Sequence, residues 1–339
     1  MSDSVHLRLT RRAFAAGAGA ALAAPARAGA PGTLLVSHPA CGRHDPGPGH
    51  PDSPARYAAV EAALADPVFA SLPRATAPRA SRDALLQVHS AAHLARLESA
   101  VPGDVRTRLS PDVVMSAASL EAALRAAGGA VHAVDAVMRG DAANAFVAAR
   151  PPGHHAGPES ARGFCLVNSA AIAARHAMAA HGAERVAIVD FDVHHGNGTQ
   201  EIFWSDKNVF YASSHQFPHY PGTGAASETG DYGSIVNAPL AKGADSAAFA
   251  EVWRERILGR LDAHRPDMIV ISAGFDARLH DPLGGLRLLE NDFRKVTLQI
   301  MDVAQKRCSG RLVSILEGGY APAALAACVR VHVESLAGV

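Results

Sequence analysis

The stretch Val189-Asp190-Phe191-Asp192-Val193-His194-His195-Gly196 sets two carboxylates and two imidazoles into six consecutive positions, straight after the apolar run Val186-Ala187-Ile188-Val189. Such groups are costly beside a core unless they are paired or bind something. Side chains of an extended chain alternate, so Asp190, Asp192 and His194 share one direction. A lone D-x-H of this kind reads more simply as a surface loop whose aspartates cap the next helix. Asp276 changes that balance, because in Ser272-Ala273-Gly274-Phe275-Asp276-Ala277 another carboxylate follows another apolar run. Two carboxylates and one histidine make a mixed oxygen and nitrogen set suited to zinc or iron, and three protein ligands leave room for water, as in catalytic sites. Arg150-Pro151-Pro152-Gly153-His154-His155 adds a rigid, non-helical path ending in two imidazoles that a turn could aim into one cavity. Taken alone, that pair reads as exposed and idle. Glu317-Gly318-Gly319-Tyr320 brings a phenol behind two glycines, which permit close backbone approach to a ligand. Taken alone, that tyrosine could equally pack on a sheet.

These groups are spread over some 170 residues and need elements that bring them together. The runs 33–36, 145–148, 186–189, 209–212, 268–271 and 312–315 read as strands, and helical spacing falls near 167–182, 246–263, 291–306 and 321–336. Earlier helices are expected from Pro54, with Ser53 as cap, and in the segments around 81–100 and 116–140, while 37–54 reads as one long loop. Strand and helix in alternation, with near-continuous apolar strands, predict a single α/β domain: a mostly parallel central sheet of about eight strands with helices on both faces. Each polar cluster follows a strand directly. Ligands of open parallel sheets bind at the carboxyl ends of strands, so the clusters are expected to converge there.

The 339 residues carry no net formal charge, with 48% hydrophobic and 19% charged residues. This is a composition with ample core, and it argues against nucleic acid as a partner. No apolar run in the body is long enough for a membrane span. The four cysteines, Cys41, Cys165, Cys308 and Cys328, lack C-x-x-C spacing, so neither a disulfide framework nor a cysteine zinc site is expected. Residues 1–30 are set apart from the catalytic body, 31–339. There Arg11-Arg12, Phe14, an Ala/Gly-rich stretch and Ala26-Arg27-Ala28 resemble a bacterial twin-arginine export signal, implying a periplasmic or exported protein. A disordered extension or a misplaced start, with the protein cytoplasmic, is the blander alternative.

Together the motifs resemble the zinc-dependent histone deacetylase and acetylpolyamine amidohydrolase superfamily, in its class II flavour. They are R-P-P-G-H-H-A, Gly163-Phe164-Cys165, V-D-F-D-V-H-H-G-N-G-T-Q, Tyr220-Pro221-Gly222-Thr223-Gly224, S-A-G-F-D-A and E-G-G-Y, in that order, with H-D-P-G-P-G-H-P-D-S-P-A-R in the first long loop. The resemblance extends over residues 34 to 337. It implies a deacetylase with one Zn2+, or Fe2+ in its place, held by Asp192, His194 and Asp276, polarising an acyl-amide carbonyl and lowering the pKa of a water. It further implies His155 as general base, His154 as a second, electrostatic histidine oriented by Asp190, and Tyr320 as donor to the oxyanion. Gly163, Phe164 and Tyr220 would border the acyl chain, and Arg56 would stand where acetate leaves. Asn197 would pair with His155; being an amide, it leaves that imidazole more readily neutral than an aspartate would. A structural K+ beside Asp190 is also implied.

Substrate is less constrained. A polyamine-selective site is expected to carry an acidic rim residue, and the matching position is Leu283, which favours acyl-lysine or neutral acylated amines. The acidic residue that anchors peptide backbones in some relatives has no clear counterpart, since Leu109 occupies the expected place, with Asp104 and Asp112 nearby. Binuclear manganese chemistry of the arginase type would need further carboxylates where Gly196 and Arg278 stand, and is rejected. The alternatives are an acetylpolyamine amidohydrolase and a non-catalytic binder of acylated ligands. The partner is expected to be a small-molecule or peptide acyl-amine, with a homodimer as one possible assembly.

Overall fold

The computed structural model describes Met1, residues 32–103 and residues 105–339; the export-signal segment and Asp104 lie outside the described residues. Eight strands form one parallel sheet: β1 (Leu34–Ser37), β2 (Arg74–Thr76), β5 (Ala145–Val147), β6 (Val186–Asp190), β7 (Val209–Gln216), β8 (Ile235–Leu240), β9 (Met268–Ala273) and β10 (Leu312–Leu316). Their order across the sheet is β2-β1-β5-β10-β9-β6-β7-β8. A two-stranded antiparallel ribbon, β3 (Thr107–Ser110) and β4 (Val113–Met115), stands apart.

Alternation along the strands feeds two cores. Val36, Val147, Ile188, Val270 and Val313 pack on one face, with α3 (Arg82–Leu86), α4 (Ala91–Ser99), α5 (Ser119–Arg139), α6 (Ser169–His181) and α7 (Asn197–Phe203). Leu35, Phe146, Val189, Ile271 and Leu312 pack on the other, with α1 (Ala40–Arg43), α2 (Pro54–Leu64), α8 (Ser246–Val252), α9 (Gly259–His264), α10 (Glu290–Cys308) and α11 (Pro322–Ala337). Covering both faces is why the strands read as unbroken apolar runs; each fully buried Leu, Ile or Val contributes about 1.5–3 kcal/mol.

Several expectations need correction. The loop over 37–54 contains the short helix α1. Ser53 occupies the cap position of α2, but its side chain makes no capping hydrogen bond. The helical pattern around 81–100 is two helices, because Ser90 caps the His93 N–H and restarts the chain at α4. Both edge strands were unforeseen: β2 has three residues, two of them exposed, and β8 contains Asn237 and Pro239, a residue tolerated only where no further strand needs its missing donor. The four cysteines are buried and free.

Candidate active site

The four polar clusters follow β5, β10, β9 and β6, and these are four consecutive strands at the middle of the sheet. β6 stops at Asp190, so the alternation of an extended chain does not reach Asp192 or His194. A staircase of side-chain-to-backbone bonds replaces it: Asp190 Oδ1 accepts from the Asp192 N–H at 3.1 Å, and Asp192 Oδ1 from the His194 N–H at 2.9 Å. Asp276 reaches across from β9 to accept the Val193 N–H at 2.8 Å.

That folding back brings Asp192, His194 and Asp276 together with one potential ligand atom each inside a 4.8 Å circle. His194 Nδ1 lies 3.0 Å from Asp192 Oδ1 and 3.1 Å from Asp276 Oδ2. Both carboxylates are wholly buried. Burial opposes a charge on His194, but the hydrogen bonds and charges of the two aspartates outweigh it and push its pKa up to about 10. Two buried carboxylates facing one imidazole could hold a cation, and the two oxygens and one imidazole nitrogen suit zinc. Its setting is cut to fit, since a methyl group at Gly318 would collide with the Asp276 carboxylate.

His154 and His155 stand beside it with ring centres 4.0 Å apart. His154 Nδ1 is 3.0 Å from Asp190 Oδ2; burial disfavours its charge, yet Asp190, Asp192 and Glu317 push its pKa up to about 10. His155 Nδ1 is 2.8 Å from Asn197 Oδ1, which leaves Nε2 with the lone pair. Burial, then the charges of His154 and His194, drive its pKa well below the ordinary value. Neighbouring imidazoles are therefore held in opposite protonation states.

A cavity of about 240 Å³ opens over these groups, walled by Phe164 and Tyr220 and reaching His155, His194 and Tyr320. Gly163 adopts φ +53, and any side chain there would run into the His155 ring. Tyr320 is held protonated, its pKa raised by burial; Arg56 opposes this, and Asp276 and Asp192 add to it. Arg56 lies 4.7 Å over the Tyr320 ring, and its guanidinium bonds Asp52 and the carbonyls of Gly319 and Glu317.

Residues 50–336 match the histone deacetylase domain model. The chain belongs to the histone deacetylase family. It is 39% identical to the histone deacetylase-like amidohydrolase of Pseudomonas aeruginosa, over 86% of this chain and 78% of that protein. It is 36% identical to type-2 histone deacetylase 2 of Dictyostelium discoideum over 90% of this chain, but spans only 21% of that much longer relative. The crystal structure of the HDA15 HD domain superposes with a TM-score of 0.85 at 35% identity, covering 91% of this chain and 88% of that one. Membership makes this histone deacetylase family protein a hydrolase acting on acetylated amides.

The residues assigned to metal, catalysis and substrate from the sequence lie in or against this site, Leu283 at the cavity wall included, whereas Leu109 does not line the cavity. Asp112 was named only as a neighbour of Leu109, and three others were missed. Asp112, in the β3–β4 turn, lines the cavity in the place where Leu109 was considered; it accepts from the Tyr220 hydroxyl at 2.6 Å and the Gly163 N–H at 2.9 Å. His219 stacks on His194 at 5.0 Å and bonds the Leu283 carbonyl. Asp281 accepts the N–H groups of Tyr320 and Leu283. Glu317 accepts those of Gly153 and His154. Of these, Glu317 lay inside the E-G-G-Y motif and Asp281 inside the polar run that follows Asp276. His195 points away, toward Thr223 and Gln200. Arg278 is paired with Glu290, and any side chain at Gly196 would strike Asp190 and Tyr211.

Proposed function

We propose that the protein is a metal-dependent deacylase that removes acetyl or related acyl groups from acetyl-lysine or small N-acylated amines. The observation that carries this reading is the His154–His155 pair, one imidazole held charged and its neighbour held neutral, at the floor of an aromatic-walled cavity beside a three-ligand cluster. Asp192, His194 and Asp276 would hold Zn2+, or Fe2+ in its place, which when bound supplies a Lewis acid for the acyl carbonyl and for water.

The protein's own groups do the rest. His155, neutral and with Nε2 free, takes the proton of the attacking water and returns it to the departing amine nitrogen. His154, kept protonated by Asp190, stabilises the negative charge that builds up in the site. The Tyr320 hydroxyl, held protonated, donates to the developing oxyanion. Asn197 fixes the tautomer of His155. Phe164, Tyr220 and Gly163 enclose the acyl-amine stem, Leu283 gives the mouth an apolar lip, and spare Arg56 donors face the leaving carboxylate. We further propose a structural K+ beside Asp190, and export directed by Arg11-Arg12, for which cell fractionation is the test.

Hydrolysis of acetyl-lysine, trifluoroacetyl-lysine and acetylpolyamine substrates, with a chelator control, tests the reading. Chelator-sensitive turnover that prefers the lysine substrates supports it. A preference for acetylpolyamine would overturn the substrate, and no turnover with one zinc bound per chain would point instead to a binder of acylated ligands.

A further inference from the structure

A second cluster of metal-ligating side chains lies outside the site described above. Asp135, in the last turns of α5, and His176 and His181, in the second half of α6, place ligand atoms within 4.8 Å of one another. Both imidazoles aim Nε2 at the same oxygen, Asp135 Oδ1, each at 2.7 Å. Their ring centres are 5.7 Å apart and the planes cross at 78°, so two differently oriented rings converge on one point. The side chains are 28%, 17% and 16% exposed, enough for an ion to enter. Arg139 approaches only the other carboxylate oxygen, at 3.8 Å, leaving Oδ1 to the histidines.

We propose that Asp135, His176 and His181 form a peripheral site for a divalent transition-metal ion, with zinc as its natural occupant. Two imidazoles converge on a single carboxylate oxygen and leave their Nδ1 atoms unengaged among the described residues, a convergence that a shared ion would also produce. Tetrahedral zinc holds its ligand atoms roughly 3.3 Å apart, so each contact need open by only about half an ångström to admit the ion. The catalytic cluster shows the same pattern, its histidine lying 3.0 and 3.1 Å from two carboxylates. Two imidazoles with one carboxylate favour zinc and its neighbours over magnesium or calcium. His181 is the last residue of α6, and the partial negative charge of a helix C-terminus favours a cation there.

Both helices run antiparallel to the strands, so these late-helix residues lie at the end of the sheet opposite the four catalytic loops. An ion there would pin α5 to α6 without touching substrate. The role is therefore structural, and it does not depend on the catalytic reading.

The test is zinc stoichiometry of the full chain after dialysis against a weak chelator, for the wild type and for H176Q/H181Q, with Co2+ absorption as a second readout. The double variant is expected to hold one equivalent fewer than wild type, to lose the corresponding cobalt band, and to keep its deacylation rate. Zinc should also raise the melting temperature of the wild type beyond that of the variant. Asp135→Asn alone, which preserves shape, should weaken the peripheral equivalent at least tenfold, so the proposal does not hang on the double variant folding. Equal stoichiometry in wild type and variants, or a peripheral equivalent that appears only at millimolar zinc, overturns it.

Discussion

His154 and His155 are chain neighbours on which the surrounding residues place opposite demands: His155 is buried beside the charges of His154 and His194 with only the amide oxygen of Asn197 as partner, whereas His154, equally buried, has the Asp190 carboxylate and two further acids beside it. Asn197→Asp should therefore raise the proton affinity of His155. A general base works only when deprotonated, so the acid limb of the kcat/KM profile should move to higher pH, and an unmoved limb would remove His155 from that role. Tyr320→Phe deletes one oxyanion donor and should lower kcat by about 100- to 1,000-fold with little change in KM or melting temperature. The motif residues were legible because their types are chemically unusual beside apolar runs. Asp112, His219 and Asp281 were not legible as site residues, although Asp112 was in view as a neighbour of Leu109. Each acts by meeting a group brought from another part of the fold, such as the Tyr320 N–H for Asp281, and nothing in the local spacing announces such a meeting.

Among the elements, the turn carrying both histidines is fixed by Glu317, whose Oε2 accepts two backbone N–H groups of the Gly153-His154 segment while Oε1 takes the Ser272 hydroxyl. Glu317 thereby ties the ends of β5, β9 and β10 together. Glu317→Ala would strand three buried donors, the two N–H groups and the Ser272 hydroxyl, at about 1–3 kcal/mol each, a loss readable as a lower urea midpoint, whereas Glu317→Gln keeps an accepting oxygen and should lose less. The central strands were readable because burial on both faces leaves them uninterrupted. β8 was not, since an edge strand can carry Asn237 and Pro239, and β2 is too short to show a pattern. The alternation argument that grouped Asp190 with Asp192 and His194 failed for a related reason: the strand ends at Asp190, and bonds from side chain to backbone take over.

For the whole molecule, two wholly buried carboxylates facing one imidazole make the metal part of the stability as well as of the chemistry. Binding that favours the native state raises the melting temperature by mass action. Stripping the ion with chelator should lower that temperature and abolish turnover together, and readdition of zinc should restore both; loss of turnover with no change in melting would place the ion elsewhere. The architecture was readable as a doubly covered parallel sheet, but its strand order was not, because nothing local records which strand lies beside which. That order has a consequence during synthesis. β10, the latest in sequence of the described strands, lies not at an edge but between β5 and β9. Until Leu316 has left the ribosome those two strands face an empty slot, and the nascent chain presents two unpaired edges of the kind that aggregate. The sheet cannot close progressively from its N-terminal end. Contacts of such long sequence separation also form slowly. A premature stop before β10 would leave not a weakened enzyme but a polypeptide with no site at all.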